Sequence, residues 1–467
     1  MQYDIGMVGL GVMGRNLLLN LADHGFRVIG LDTDPGKVQA LKTEGNRDTV
    51  DATLDAKAFL TAQRLPRAII LLVPAGKAVD AVINKLAPNL SQGDLLIDAG
   101  NSHFKDTDRR YNELAAKGLN FFGMGVSGGE AGARGGPAMM PGGPRAAYDR
   151  VKPMLDAIAA KVNGDPCVDY IGSGSAGHYV KMVHNGIEYG IMQLLAEVYD
   201  ILHRGAGLTN PELADLFQSW HDGELNSFLV EITAKIFRKL DPKTGKHLVD
   251  VILDVARQKG TGKWTSQEAM DLQVPLMTID AAVSSRDISA YDVERMQASK
   301  VYAGIGTNWS GDRAALQTIA RNATYAAVLL IYAQGFAMLR KASTTYSFGL
   351  DLGTIAKIWR GGCIIRSTML ETFRTAFAEQ PDLPNLLLSS KIAPDLARCH
   401  TGLRSLIASA ITLGIPCAAL MNSLAYFDAY RSARLPMNLT QAQRDLFGAH
   451  TYERIDEKGT FHTKWEE

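Results

Sequence analysis

Among 467 residues there are only four cysteines, Cys167, Cys363, Cys399 and Cys417. They lie far apart and in no metal-ligand spacing. Neither a disulfide framework nor a metal module is therefore predicted, and reduced, buried thiols in a cytoplasmic protein are expected. Charge of one sign is also lacking, since 49 basic residues balance 49 acidic ones. That balance gives no reason to expect nucleic acid or a membrane surface as partner, and leaves any anion to be held by local clusters. Long apolar runs are absent too: no span that is both uncharged and apolar is expected to reach the roughly 18 residues of a membrane crossing. The most apolar segment, 326–339, is interrupted by Gln334 and Gly335, which predicts a buried core helix. The N-terminus enters a strand with no basic region, apolar signal core or cleavage site before it. Apolar residues, by contrast, are plentiful at 46%, enough over this length for about two or three domains around a large core.

A lone glycine fingerprint is weak evidence, but here its setting strengthens it. Gly9, Leu10, Gly11, Val12, Met13 and Gly14 stand between a strand expected over 3–8 and a helix expected over 13–24, and Asp32 closes the next strand, 27–31. Such glycines let the backbone approach a pyrophosphate, whose charge is met by helix N-terminal amides. Asp32 is the residue that selects the dinucleotide. Its carboxylate can accept hydrogen bonds from both adenosine ribose hydroxyls, whereas a 2′-phosphate would face Asp32 and, past Thr33, Asp34. Repulsion between unit charges near 4 Å is on the order of 4 kcal/mol at an effective dielectric of 20. NAD is therefore expected in preference to NADP, with Lys37 softening the discrimination. Further strands are expected over 68–73, 94–98, 119–122 and 166–171, turns over 137–144, and helices over 77–86, 107–117 and 146–160. The alternation predicts an α/β, Rossmann-like, doubly wound parallel sheet occupying residues 1–176. Asp98 to Ser102 and Gly125 to Glu130 follow strands, where such sheets bind ligands.

From residue 177 to 434 the periodicity is helical, predicting a large all-α domain for substrate and dimerisation. Its opening helix, 178–193, carries Lys181, His184, Asn185 and Glu188 on one side and Val180, Val183, Ile187 and Ile191 on the other. An amine able to act as base and a carboxyl able to act as acid, about two turns apart, form an acid/base layout. A weak internal duplication is legible as well. His184-Asn185 aligns with Arg321-Asn322, and Ser227 and Glu231 with Ser367 and Glu371; in that register the second copy has Thr318 and Tyr325 where the first has Lys181 and Glu188. Between the copies, Lys259 in Gln258–Thr265 and Arg286 after Ser284-Ser285 offer cationic sites for a phosphate. The tail, 435–467, is rich in aromatics and too short to bury itself, which suggests docking on a partner subunit.

Over nearly its whole length the chain resembles the 6-phosphogluconate dehydrogenases, the decarboxylating enzymes of the pentose phosphate route. The resemblance rests on GLGVMG, IDAGNS, GVSGGEAGARGGPAMMPGG, KMVHNGIEYG, QKGTGKWT and QAQRDLFGAHTYER, in that order. It implies oxidative decarboxylation of 6-phosphogluconate to ribulose 5-phosphate without a metal, with Lys181 as general base and Glu188 as general acid. Substrate contacts are implied at Asn101, Ser127, Gly128, Gly129, His184, Asn185, Tyr189, Lys259, Arg286, Arg444 and His450. The last two are implied to come from the neighbouring subunit of a homodimer. Cofactor contacts are implied at the glycine turn, at 32–34, at Val73, Pro74 and Ala75, and at Asn101. The chain also departs from the family pattern at two places. Asp32-Thr33-Asp34 stands where NADP-using members carry Asn-Arg-Ser/Thr, and Pro74 stands where lysine is usual, so a contact at Pro74 can run only through the backbone. A related β-hydroxyacid dehydrogenase would lack the long duplicated domain and the Arg444/His450 tail, and a non-catalytic dinucleotide sensor would not need Lys181 and Glu188 together.

Overall fold

The structure, a computed structural model, describes residues 2–307 and 309–465. Short, fully buried apolar runs form the centre of the N-terminal region. Strands β1 (Ile5–Val8), β2 (Val28–Leu31), β3 (Val50–Thr53), β4 (Ala68–Leu71), β5 (Leu95–Asp98), β6 (Asn120–Ser127) and β7 (Ala138–Pro141) build a seven-stranded sheet in the order β3-β2-β1-β4-β5-β6-β7. All neighbours are parallel except β6 and β7, which run antiparallel. Helices α1 (Val12–Asp23), α2 (Pro35–Glu44), α3 (Ala56–Thr61), α4 (Lys77–Leu86), α5 (Phe104–Ala115), α6 (Gly129–Gly135) and α7 (Arg145–Ile158) cover its two faces.

Two expectations from sequence are corrected here. The stretch 137–144 is not merely turns. Met139 and Met140 are wholly buried and supply β7, a run whose flanking Pro137 and Gly142 mask it as a loop. The strand expected over 166–171 shrinks to a hairpin of β8 (Lys161–Val162) with β9 (Asp165–Pro166) and single bridges from Val168 to Met139 and Gly172 to Gly142. Strand β3, with α2 and α3 around it, was not expected at all; Val-Asp-Ala-Thr alternates too briefly to stand out from the polar residues around it.

The remainder is helical. It comprises α8 (Ala176–Asp200), α9 (Asn210–His221), α10 (Phe228–Arg238), α11 (Thr261–Asp271), α12 (Met277–Ser289), α13 (Asp292–Val301), α14 (Arg313–Thr345), α15 (Leu352–Trp359), α16 (Met369–Glu379), α17 (Ala393–Leu413), α18 (Ala418–Tyr430) and α19 (Met437–Gly448). The order α8-α9-α10 recurs as α14-α15-α16. The two copies meet at equivalent residues: Ser227 bridges Ser367 antiparallel, Phe228 N–H donates to Arg366 O at 3.1 Å, and Thr368 N–H donates to Asn226 O at 3.1 Å. This reciprocal pairing supports the duplication. Helix α14 is long and apolar enough to cross a membrane, yet 83% of its most apolar window is buried inside protein, which makes it the core helix expected at 326–339. The four cysteines are free and buried.

Helix α8 is pinned along β6 and against β7 by close backbone approach. A Cβ at Gly177 would lie 2.3 Å from Gly123 O and 2.4 Å from Met140 O, and one at Gly125 would lie 2.4 Å from Lys181 Cβ. Further along α8, buried Glu197 accepts the Ala419 and Leu420 amides at 2.8 and 2.9 Å, capping α18. Helix α8 is thus clamped at both ends.

The tail organises itself around one carboxylate. Asp445 in α19 accepts from Thr451 N at 2.9 Å, His462 Nδ1 at 2.9 Å, Thr463 N at 3.0 Å and Trp465 Nε1 at 2.9 Å. Removal from water would raise its pKa, but the bonds from His462, Thr463 and Trp465 outweigh that cost and hold the carboxyl down at about 2. Leu435, Met437, Leu439, Leu446, Phe447 and Ile455 remain exposed.

Candidate active site

The glycine turn is shaped to receive an anion. Gly9 has a left-handed φ of 98° and passes so close to β4 that a Cβ would lie 2.4 Å from Leu72 O, and a Cβ on Gly14 would lie 1.9 Å from Gly9 O. A Cβ on Gly11, in contrast, would meet nothing within 4 Å. Helix α1 begins there with no side-chain cap, so its first amides point at open space, and Val12 beside them is half exposed. These groups fit a pyrophosphate. At the end of β2, Asp32 accepts from Leu10 N at 2.7 Å and Asp34 N at 3.0 Å, with Lys37 Nζ 3.8 Å away. Thr33 is exposed, and Asp34 caps α2 by accepting Gly36 N at 2.8 Å. Val73 is half-buried, while Pro74 and Ala75 are exposed on the same rim.

Beyond β5 a buried carboxylate folds the next loop. Asp98 accepts from Gly100 N at 3.0 Å and Ser102 Oγ at 2.6 Å, and Arg110 Nη1 stands 3.3 Å away. That network leaves Asn101 exposed at the tip. Asn101 and Ser102 line a small cleft with Lys181, Asn185, Thr261 and Trp264. On the next strand end, Gly128 (φ 120°) and Gly129 (φ 63°) turn the chain into α6; a Cβ on Gly128 would lie 2.6 Å from Gly362 O, so the second helical copy walls this loop.

The polar side of α8 is buried, which excludes a solvated charged face. Lys181 is 6% exposed, His184 0% and Asn185 8%. Lys181 Nζ lies 3.3 Å from His184 Nδ1, which is 3.3 Å from Asn185 Oδ1 and 3.9 Å from Glu188 Oε2. On the other side of the ring, His184 Nε2 lies 3.4 Å from Ser127 Oγ, and the edge of Trp359 packs at 5.7 Å between centroids. Burial lowers the basicity of Lys181 and, more strongly, of His184, where the Lys181 charge adds to it. Burial also raises the Glu188 carboxyl, against opposing pulls from Lys181 and Arg286. The two groups are thus shifted towards a neutral amine and a protonated acid, the states that a base and an acid require.

One turn on, Tyr189 is held against α11, because a Cβ on Gly262 would lie 2.3 Å from its ring. The guanidinium of Arg286 stacks 3.4 Å over that ring. The structure therefore places Asn101, Lys181 and Asn185 on one cleft, links Ser127, His184 and Glu188 to Lys181 through the contacts above, and stacks Arg286 on Tyr189, the residue after Glu188. Lys259 stands exposed just before α11. Arg444 and His450 lie on the exposed tail; Arg444 bonds Gln441, and His450 packs edge-on to Phe447. Sequence reasoning missed His178, whose ring lies on Gly123 and whose Nδ1 is 2.6 Å from Thr107 Oγ1, as well as Arg110, Trp359 and Thr265. Only tertiary packing marks them.

The model of the "NAD binding domain of 6-phosphogluconate dehydrogenase" matches residues 4–172, and that of the "6-phosphogluconate dehydrogenase, C-terminal domain" matches 177–465. The chain belongs to the 6-phosphogluconate dehydrogenase family. Among its relatives, the NADP(+)-dependent, decarboxylating 6-phosphogluconate dehydrogenase of Bacillus subtilis is 49% identical over 99% of both chains. The decarboxylating 6-phosphogluconate dehydrogenase of Escherichia coli is 50% identical over 99% of both. The Plasmodium falciparum 6-phosphogluconate dehydrogenase, solved apo, with its cofactor NADP+ and with its substrate 6-phosphogluconate, superposes with a TM-score of 0.96, at 41% identity over 99% of this chain and 100% of that one.

These family members correct the expectation of NAD over NADP, since the Bacillus subtilis enzyme is named NADP(+)-dependent and the Plasmodium falciparum enzyme was solved with NADP+. The argument from repulsion counted two carboxylates and gave too little weight to the cation beside them: in the fold the Lys37 ammonium stands 3.8 Å from Asp32, while both carboxylates accept backbone amides.

Proposed function

We propose that this chain carries out the oxidative decarboxylation of 6-phosphogluconate to ribulose 5-phosphate, with Lys181 as base and Glu188 as acid. One observation carries the reading: an amine made less basic by burial and a carboxyl made less acidic by burial sit two turns apart on one clamped helix, joined through His184. The amides at Gly11 to Met13, the rim at 32–34 and 73–75, and Asn101 would hold a nicotinamide dinucleotide, which when bound accepts the hydride from C3. Neutral Lys181 takes the C3 hydroxyl proton. As an ammonium it then polarises the resulting ketone, so that the carboxylate leaves as carbon dioxide, and it returns the proton to the C3 oxygen of the enediol. Glu188 protonates the carbon that becomes C1 of the product, while Lys181 takes back the proton from the C3 oxygen. A fixed ammonium suffices to drive loss of a β-keto carboxylate.

Ser127, Gly128, Gly129, His184 and Asn185 hold the sugar acid. Tyr189, Lys259 and Arg286 neutralise the 6-phosphate, joined by Arg444 and His450 from the tail of a second subunit. The exposed apolar face of that tail supports a homodimer. The test is an assay of 6-phosphogluconate with NADP+, reading reduced dinucleotide and carbon dioxide together. Equal amounts of both are expected. Lys181→Met should abolish both while dinucleotide still binds, and turnover retained by that variant would refute the base.

A further inference from the structure

Each catalytic cycle ends with protons in the wrong places. If the proposed mechanism holds, on which this inference rests, Lys181 starts neutral and Glu188 protonated, but Lys181 finishes as an ammonium and Glu188 as a carboxylate. The next cycle needs one proton moved from the amine to the carboxylate. Among the described residues there is no direct Lys181–Glu188 contact. What lies between them is the His184 ring, wholly buried, with Nδ1 3.3 Å from Lys181 Nζ and 3.9 Å from Glu188 Oε2.

We infer that His184 is a catalytic proton relay that resets the site by carrying the Lys181 proton to Glu188. The Lys181 N–H bond breaks as the proton passes to the Nδ1 lone pair. The Nδ1–H bond then breaks as the proton passes to the Glu188 carboxylate, leaving a neutral amine, a neutral ring and a carboxylic acid. The surroundings of the ring suit this cycle. Ser127 Oγ, 3.4 Å from Nε2, can accept a hydrogen bond from Nε2–H and so keep the Nδ1 lone pair free to receive. Asn185 Oδ1, 3.3 Å from Nδ1, can accept a hydrogen bond from the transient imidazolium. The weak basicity of the buried ring prevents it from retaining the proton. With Lys181 only 6% exposed, solvent is a poor alternative route.

Rapid mixing of 6-phosphogluconate and NADP+ with His184→Gln tests the relay. The expected trace is a fast phase of one reduced dinucleotide per site followed by a steady rate slower by about tenfold or more, and that steady rate should rise on adding imidazole. Because His184 also holds the sugar acid, KM should rise, and both phases are read at saturating 6-phosphogluconate; a substrate contact alone would slow the two phases together with no response to imidazole, and that result overturns the relay. The unaltered enzyme gives a second test: at fixed pH and ionic strength its kcat should not depend on buffer concentration, and an increase would show that protons return through solvent. If the unaltered enzyme produces no reduced dinucleotide from 6-phosphogluconate, the proposed function fails rather than the relay.

Discussion

Adding one methyl group to β6 should disable the site without replacing any residue of the proposed chemistry. In Gly125→Ala the new Cβ would lie 2.4 Å from Lys181 Cβ, 3.0 Å from Lys181 Cγ and 3.1 Å from Gly177 O. Non-bonded carbons rest about 3.5–4.0 Å apart, so the overlap is about 1 Å. The strand cannot retreat, because β6 is hydrogen-bonded on both sides. Helix α8 cannot rise freely either, because Glu197 ties its far end to α18. Lys181 must therefore be displaced by about 1 Å, a misplacement that costs on the order of a hundredfold in rate, or about 2.7 kcal/mol of transition-state stabilisation. Overpacking should also cost about 1–3 kcal/mol of stability. The assay is kcat/KM for dinucleotide reduction with 6-phosphogluconate, alongside the dinucleotide Kd and a denaturant melt. The fall in kcat should come with an unchanged Kd, because the glycine turn lies on a different strand end. A folded variant with unchanged kcat would refute the claim that the β6–α8 contact sets the position of the amine.

Glu197→Ala leaves two buried amides at the start of α18 without an acceptor and should cost about 3 kcal/mol in chemical denaturation; no measurable loss would show that water replaces the cap. Because the Arg286 charge lowers the Glu188 carboxyl, Arg286→Gln should raise it further. In the proposed mechanism Glu188 works protonated, so the alkaline limb of the kcat profile should move to higher pH; a limb that stays put or moves down contradicts the assignment of that limb to Glu188. Asp445, held at about 2, orders the tail at pH values above its unfolded range and loses that effect as pH falls through about 2. Asp445→Asn should speed amide exchange at Thr451 and Thr463 at neutral pH, and unchanged protection would mean that the tail is ordered by something else.

The sequence displayed the parts of this site that obey local rules. The glycine turn shows because pyrophosphate approach demands missing side chains in a row, and the Lys181–Glu188 face shows because a helix repeats its sides every few residues. Strand β7 was hidden because Ala-Met-Met-Pro has no alternation to read when both of its faces are buried. Wholly invisible were contacts between distant parts of the chain, such as Trp359 against His184 across the duplicated halves and Gly362 against Gly128 across the sheet and helical regions, which join residues more than a hundred positions apart. The NAD expectation failed for a similar reason. Identity at 32–34 was legible, but how near the Lys37 ammonium comes to Asp32, 3.8 Å, was not.

The most direct measurement is a crystal structure with 6-phosphogluconate bound. The account predicts Lys181 Nζ within about 3.2 Å of the C3 hydroxyl oxygen, with the Glu188 carboxyl facing the neighbouring carbon that accepts the proton. A substrate held with C3 out of reach of Lys181, or with Glu188 turned from that carbon, would contradict it.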